Sequence, residues 1–267
     1  MKKYLSFFRI RLIAGLQYRA AAWAGIFTQA IWGIMMILMY RAFYRSGSQD
    51  FPMDFQSLSC YIWLQEILLT LFAAWSFDNE IFDSITSGSV AYELCRPCGV
   101  YGMWFVKNMA LRMSRVVLRC LPILVLAVLL PAPYGLKLPA TFGAGVQFLI
   151  SLTLGFLVAI SFVMLIYIST FYTVSSSGIR VLGASVVEFF SGAVIPLPFF
   201  PEKLQRIFNL LPFASMQNTP FLIYTGYLDT GEALARMGLQ LIWLVLMGGF
   251  GLILTRRALK RLVIQGG

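Results

Sequence analysis

Residues 142–172 read FGAGVQFLISLTLGFLVAISFVMLIYISTFY, and from Phe142 to Tyr172 no side chain is charged. As one α-helix this run reaches about 46 Å, beyond the roughly 30 Å hydrocarbon core of a bilayer. It reads as a membrane span. Working outward, five further apolar runs follow the same logic. Ala21 to Phe43 carries only Arg41, near its end, and Leu58 to Phe77 carries only Glu66. Val116 to Leu130 continues a basic helix that starts near Trp104. Ile179 to Leu197 holds Glu188 and ends on Pro196 and Pro198, and Ala233 to Leu254 comes last. The expectation is an all-α polytopic membrane protein with six transmembrane helices, forming one domain over residues 1–267.

Composition agrees. Hydrophobic residues make up 59% of the 267 and charged ones 12%, with a mean hydropathy of +0.79. A soluble domain is about 45–50% apolar and about 25% charged, so neither a soluble fold nor disorder fits. The chain has no histidine. That removes His-ligated zinc and haem, Ser-His-Asp and Cys-His pairs, and imidazole acid–base chemistry. Four cysteines make no disulfide framework. Cys95-Arg96-Pro97-Cys98 is a C-x-x-C, but no second pair completes a zinc site and no thioredoxin-like context surrounds it.

The net charge is +10. With both termini inside, one face holds Lys2, Lys3, Arg9, Arg11, Arg19, Arg96, Lys107, Arg112, Arg115, Arg119, Arg180, Arg256, Arg257, Lys260 and Arg261, fifteen of the 21 basic residues. Arg41, Arg45, Lys137, Lys203, Arg206 and Arg236 fall on the other. By the positive-inside rule the richer face is cytoplasmic. The charge is then an orientation signal, and no nucleic-acid partner is expected. The predicted location is the plasma (bacterial inner) membrane.

Three segments outside the spans carry pattern. In residues 1–19, Leu5, Phe8, Leu12 and Leu16 recur at helical spacing between arginines, as in an interfacial amphipathic helix. Arg9, Arg11 and Arg19 interrupt any leader-like apolar core. The cytoplasmic stretch 78–103 contains a short helix between Gly88 and Pro97, each a helix breaker. A short helix there suits docking into a soluble partner; an ordinary connector is the alternative. The outer loop 199–231 holds Pro201, Pro212 and Pro220 and an amphipathic piece from Glu202 to Leu211.

No P-loop glycine-lysine motif is present, so any ATP is hydrolysed by a partner and this chain binds no cofactor. Glu66 and Glu188 lie inside spans. Charges there are costly and usually face protein or a water-filled cavity. Each is therefore a translocation-path or gating candidate, or one end of an interhelical hydrogen bond. Gly183, Ala184, Ser191 and Gly192, with Gly248, Gly249 and Gly251, allow close helix packing.

Four stretches together resemble the permease subunits of ABC-2-type ATP-binding-cassette transporters, in the six-span branch that pairs with a second permease. They are Phe82 to Gly88 through Glu93 to Pro97, Phe171 to Thr173 through Gly178 to Arg180, Ser191 to Pro201, and the tail from Arg256 to Arg261 through Gln265 to Gly267. The resemblance implies an elbow helix (Leu5 to Tyr18), a coupling helix (Ser89 to Leu94) between spans two and three, and short extracellular helices such as Pro201 to Leu211. It implies that Gly88, Ser89, Val90, Tyr92, Glu93, Leu94, Arg96 and Pro97 engage an ATPase subunit that holds ATP and Mg. Pro196, Pro198, Phe199 and Phe200 become extracellular gate candidates. Expected partners are ABC ATPases, a second six-span permease and the lipid bilayer, and the expected direction is export. Two rivals remain: a secondary transporter or channel using Glu66 and Glu188, and an intramembrane lipid-modifying enzyme.

Overall fold

The computed structural model describes residues 2–17, 19–47, 51–95, 97–139, 141–173 and 175–260. Every regular element among them is helical. The helices are α1 (Lys2–Gly15), α2 (Arg19–Arg45), α3 (Phe55–Phe72), α4 (Asn79–Thr86), α5 (Val90–Leu94), α6 (Val100–Leu129), α7 (Phe142–Ser169), α8 (Ser176–Phe190), α9 (Glu202–Leu210), α10 (Asn218–Thr225) and α11 (Thr230–Lys260). Three are long and apolar enough to cross a membrane: Ala22–Arg45, Phe142–Tyr172 and Thr230–Lys260. They correspond to the first, fourth and sixth expected spans. The third expected span and the basic helix before it form one continuous helix, α6.

α3 and α7 make up the centre, and their buried faces explain why. Tyr61, Trp63, Ile160, Met164 and Tyr167 are all fully enclosed. α2 and α11 lie outside, with Trp23 67%, Phe27 68%, Val245 70% and Phe250 55% exposed. Large apolar side chains facing outward on long helices suit a lipid surround.

Two expected spans are shorter than their hydropathy suggests. The second ends at Phe72, five residues before Phe77. There Arg112 of α6, fully buried, donates to the carbonyls of Leu71 (2.9 Å), Ala73 (3.0 Å) and Ser76 (3.2 Å). A helix end leaves carbonyls unpaired, and one guanidinium supplies the donors that let the chain leave the helix. The fifth ends at Phe190 rather than Leu197. Gly192 adopts φ +80°, a conformation that glycine takes without strain. The unwound carbonyls find donors on α3: the Tyr61 hydroxyl reaches Gly192 at 3.2 Å, and the Gln65 amide donates to Ala193.

The 199–231 stretch is not all surface loop. Within it, α10 has Asn218 through Tyr224 buried between α3 and α7. Gln240 of α11 holds it in. Its amide donates to the carbonyls of Ser215 (2.8 Å) and Ser151 (3.0 Å) and accepts from the Ser151 hydroxyl (3.0 Å). Gly155 on α7 is the contact point, because any Cβ there would overlap the Met216 carbonyl oxygen.

α1 packs along the first half of α6. Gly102 faces the Tyr4 ring, and Gly15 lies against Ser114, whose hydroxyl a Cβ would overlap. The face it presents is Tyr4, Phe7, Phe8, Arg11, Leu12 and Gly15, all half-buried. The expected stripe is thus partly wrong: Phe8, Leu12 and Leu16 are half-buried, but Leu5 is 70% exposed. Tyr18 lies outside the described residues.

Candidate coupling site

The stretch between α3 and α6 is densely bonded to the helices around it. Asp78 caps α4, its carboxylate accepting from the Glu80 amide at 3.0 Å. Lys107 on α6 reaches both acids, at 2.9 Å from Asp78 and 2.6 Å from Glu80. That contact holds the Glu80 carboxyl below its usual range, helped by Arg11 at 3.5 Å. The Tyr167 hydroxyl of α7 accepts from the Asp78 amide (2.7 Å) and donates to Asn108 (3.2 Å). Arg180 of α8 donates to Asn79 (3.0 Å) and stacks over Phe82, 4.6 Å from its centroid. This one connection therefore touches α1, α6, α7 and α8.

α5 hangs from this frame. Ser87 ends α4, and Gly88 turns the chain with φ +73°. Val90 is fully buried, and the Glu93 carboxylate accepts from the Trp104 indole at 2.7 Å. Between these anchors Tyr92 is 79% and Leu94 46% exposed. A five-residue helix with its inner side fixed and two large side chains outward is built to present a surface. Ser89 packs its hydroxyl on Ser87 at 2.9 Å. Pro97 follows the helix; Arg96 lies outside the described residues. Cys95 and Cys98 are free thiols, the first exposed.

A family model described as ABC-2 family transporter protein matches residues 30–266. That span covers most of the chain, from the middle of α2 onward. The chain belongs to the ABC-2 family of transporter proteins. Among curated proteins, none matches it.

In this ABC-2 permease the remaining candidates sit apart from α5. Glu66 is on α3 and only 2% exposed, pressed against Gly33 of α2. Gln29 donates to the Glu66 carbonyl at 2.9 Å. Three buried oxygens at this seam, Gln29 Oε1, Glu66 Oε2 and Thr70 Oγ1, have no hydrogen-bond partner among the described residues. Glu188, on α8, is half-buried, and no hydrogen bond or ion pair among the described residues joins it to Glu66.

Pro196 and Pro198 are buried just past α8. Phe199 meets Tyr40 of α2, with centroids 5.5 Å apart, and Phe200 meets Phe208 of α9 at 5.3 Å. Phe199 thus packs on α2, while Phe200 joins a separate ring cluster with Phe189 of α8 and Phe208 of α9.

Sequence reasoning missed the residues that brace the segment around α5: Trp104, Lys107, Asn108, Arg112, Tyr167 and Arg180. A signal existed for some. Trp104, Asn108, Arg112 and Arg115 recur at helical spacing on one stripe of α6, and an arginine within an otherwise apolar helix needs a built environment.

Proposed function

We propose that the chain is the membrane-spanning permease half of an ABC-2 exporter, crossing the inner membrane six times with both termini cytoplasmic. On this reading α1 is the elbow helix, and α5 is the coupling helix that docks into a separate ATPase. A second permease completes the translocation path. The chain does no chemistry itself. ATP-driven movement of the partner pushes α5, and the bracing by Lys107, Tyr167 and Arg180 transmits that push to α6, α7 and α8. Coupling of this kind works because the partner binds the two states with different affinity.

The observation that carries the proposal is the anchored α5 with Tyr92 and Leu94 turned outward. Detergent extraction should recover the chain bound to a cassette ATPase. Tyr92→Ala with Leu94→Ala should release the ATPase while leaving the melting temperature within about 2 °C, since both side chains are exposed. Purification alone, with transport into liposomes in the absence of ATP, would sink the idea.

A further inference from the structure

A cavity of about 950 Å³ opens between α1, the start of α2, α6 and the 73–80 linker. Five basic residues line it, Arg11, Lys107, Arg115, Arg119 and Arg180, against two acids, Asp78 and Glu80. Lys107 holds both acids at salt-bridge distance, so the wall keeps a surplus of positive charge. Two of the guanidinium groups are deliberately seated. Arg115 is hydrogen-bonded to the Ser76 hydroxyl. Arg119 crosses to α2 at Gly25, where any Cβ would overlap its guanidinium. The rest of the wall is apolar, including Leu69, Leu111, Leu118 and Trp75.

Surplus cations inside a helical membrane bundle are costly unless an anion shares the space. A phosphate group offers several acceptor oxygens, so two guanidinium forks can share it. Basic pockets between helices at the cytoplasmic side are suited to anionic head groups. We infer that this cavity binds the phosphate of an anionic amphiphile, with Arg115 and Arg119 as its main donors and the leucine wall beside its chain. The inference rests on the proposed orientation, which puts this end at the inner leaflet.

The test uses the full chain purified in an uncharged detergent, with thermal unfolding followed as ligand is added. Phosphatidylglycerol should raise the melting temperature, and phosphatidylcholine should not. Arg119→Gln should weaken phosphatidylglycerol binding about tenfold, the loss of one charge-assisted hydrogen bond, and Arg115→Gln likewise. Arg11→Gln, at the exposed rim, should make binding weaker by a few-fold and less salt-sensitive. If a core variant fails to fold, Arg119→Lys, which keeps the charge but loses the fork, and Arg11→Gln carry the test. Inorganic phosphate that displaces the lipid would show that the phosphate group alone is recognised, as for a soluble phosphate ester. Failure of phosphate to compete would assign the site to a bilayer lipid. Equal stabilisation by both lipids, or unchanged affinity in the variants, would overturn the inference. Binding is read without an ATPase, so failed ATPase capture would count against the permease reading alone.

Discussion

At the scale of single residues, Arg112 shows what a buried charge does in this chain. It ends α3 by donating to three carbonyls. Hydrogen bonds to charged groups are each worth about 1.5–3 kcal/mol. Arg112→Met should cost about 3 kcal/mol or more, seen as a fall in the denaturation midpoint. A midpoint matching the wild type would mean the carbonyls find other donors. Glu80 gives a weaker and pH-dependent case. Its folded carboxyl is held below the ordinary 4.5 by the Lys107 hydrogen bond. The stability it adds is therefore complete above 4.5 and is lost as pH falls through the lower folded value. The side chain is 68% exposed, so the contribution is below about 1 kcal/mol. Wild type and Glu80→Gln should differ in melting temperature at pH 7, and the difference should shrink as the pH is lowered below 4.5; a difference unchanged by acidification would contradict the assignment.

At the scale of elements, apolar run length was the legible signal and helix termination was not. Phe142–Tyr172 needed nothing but its own residues to be read as a span. Leu58–Phe77 and Ile179–Leu197 looked equally continuous, yet each breaks where a distant side chain provides partners, Arg112 in one case and Tyr61 with Gln65 in the other. Such tertiary capping leaves no local trace. α10 was illegible for the same reason. Asn218, Thr219 and Pro220 read as loop residues, and what buries them is Gln240 and the missing side chain at Gly155. Gly155→Ala should consequently dislodge the segment. Overpacking of this kind costs about 1–3 kcal/mol, measurable as a lower melting temperature and faster proteolysis after Phe213. An unshifted melting temperature would argue that Met216 moves aside freely.

At the scale of the whole molecule, the candidate coupling site was half legible. Gly88 and Pro97 bracket α5 in the sequence, but the division of its residues into anchors (Val90, Glu93) and exposed side chains (Tyr92, Leu94) was not legible there. Nor was the frame that holds α5, because Lys107, Tyr167 and Arg180 come from three different helices and meet only in the fold. The proposed orientation makes a direct prediction. Cys95 is exposed and Cys60 buried, so a membrane-impermeant maleimide should label the chain in inverted vesicles and not in intact cells. Labelling of intact cells would reverse the topology.

The early end of α8 has a further consequence for the surrounding bilayer. Fifteen residues reach about 22 Å, against a hydrocarbon core of about 30 Å, while Val181, Leu182 and Phe189 stay exposed. On the proposed six-span reading, lipid packed against that helix would meet an apolar wall shorter than its own thickness. Such mismatch is relieved by local thinning or by association with another subunit. On that reading the α8 face is a flank where the proposed second permease would relieve membrane strain by covering it.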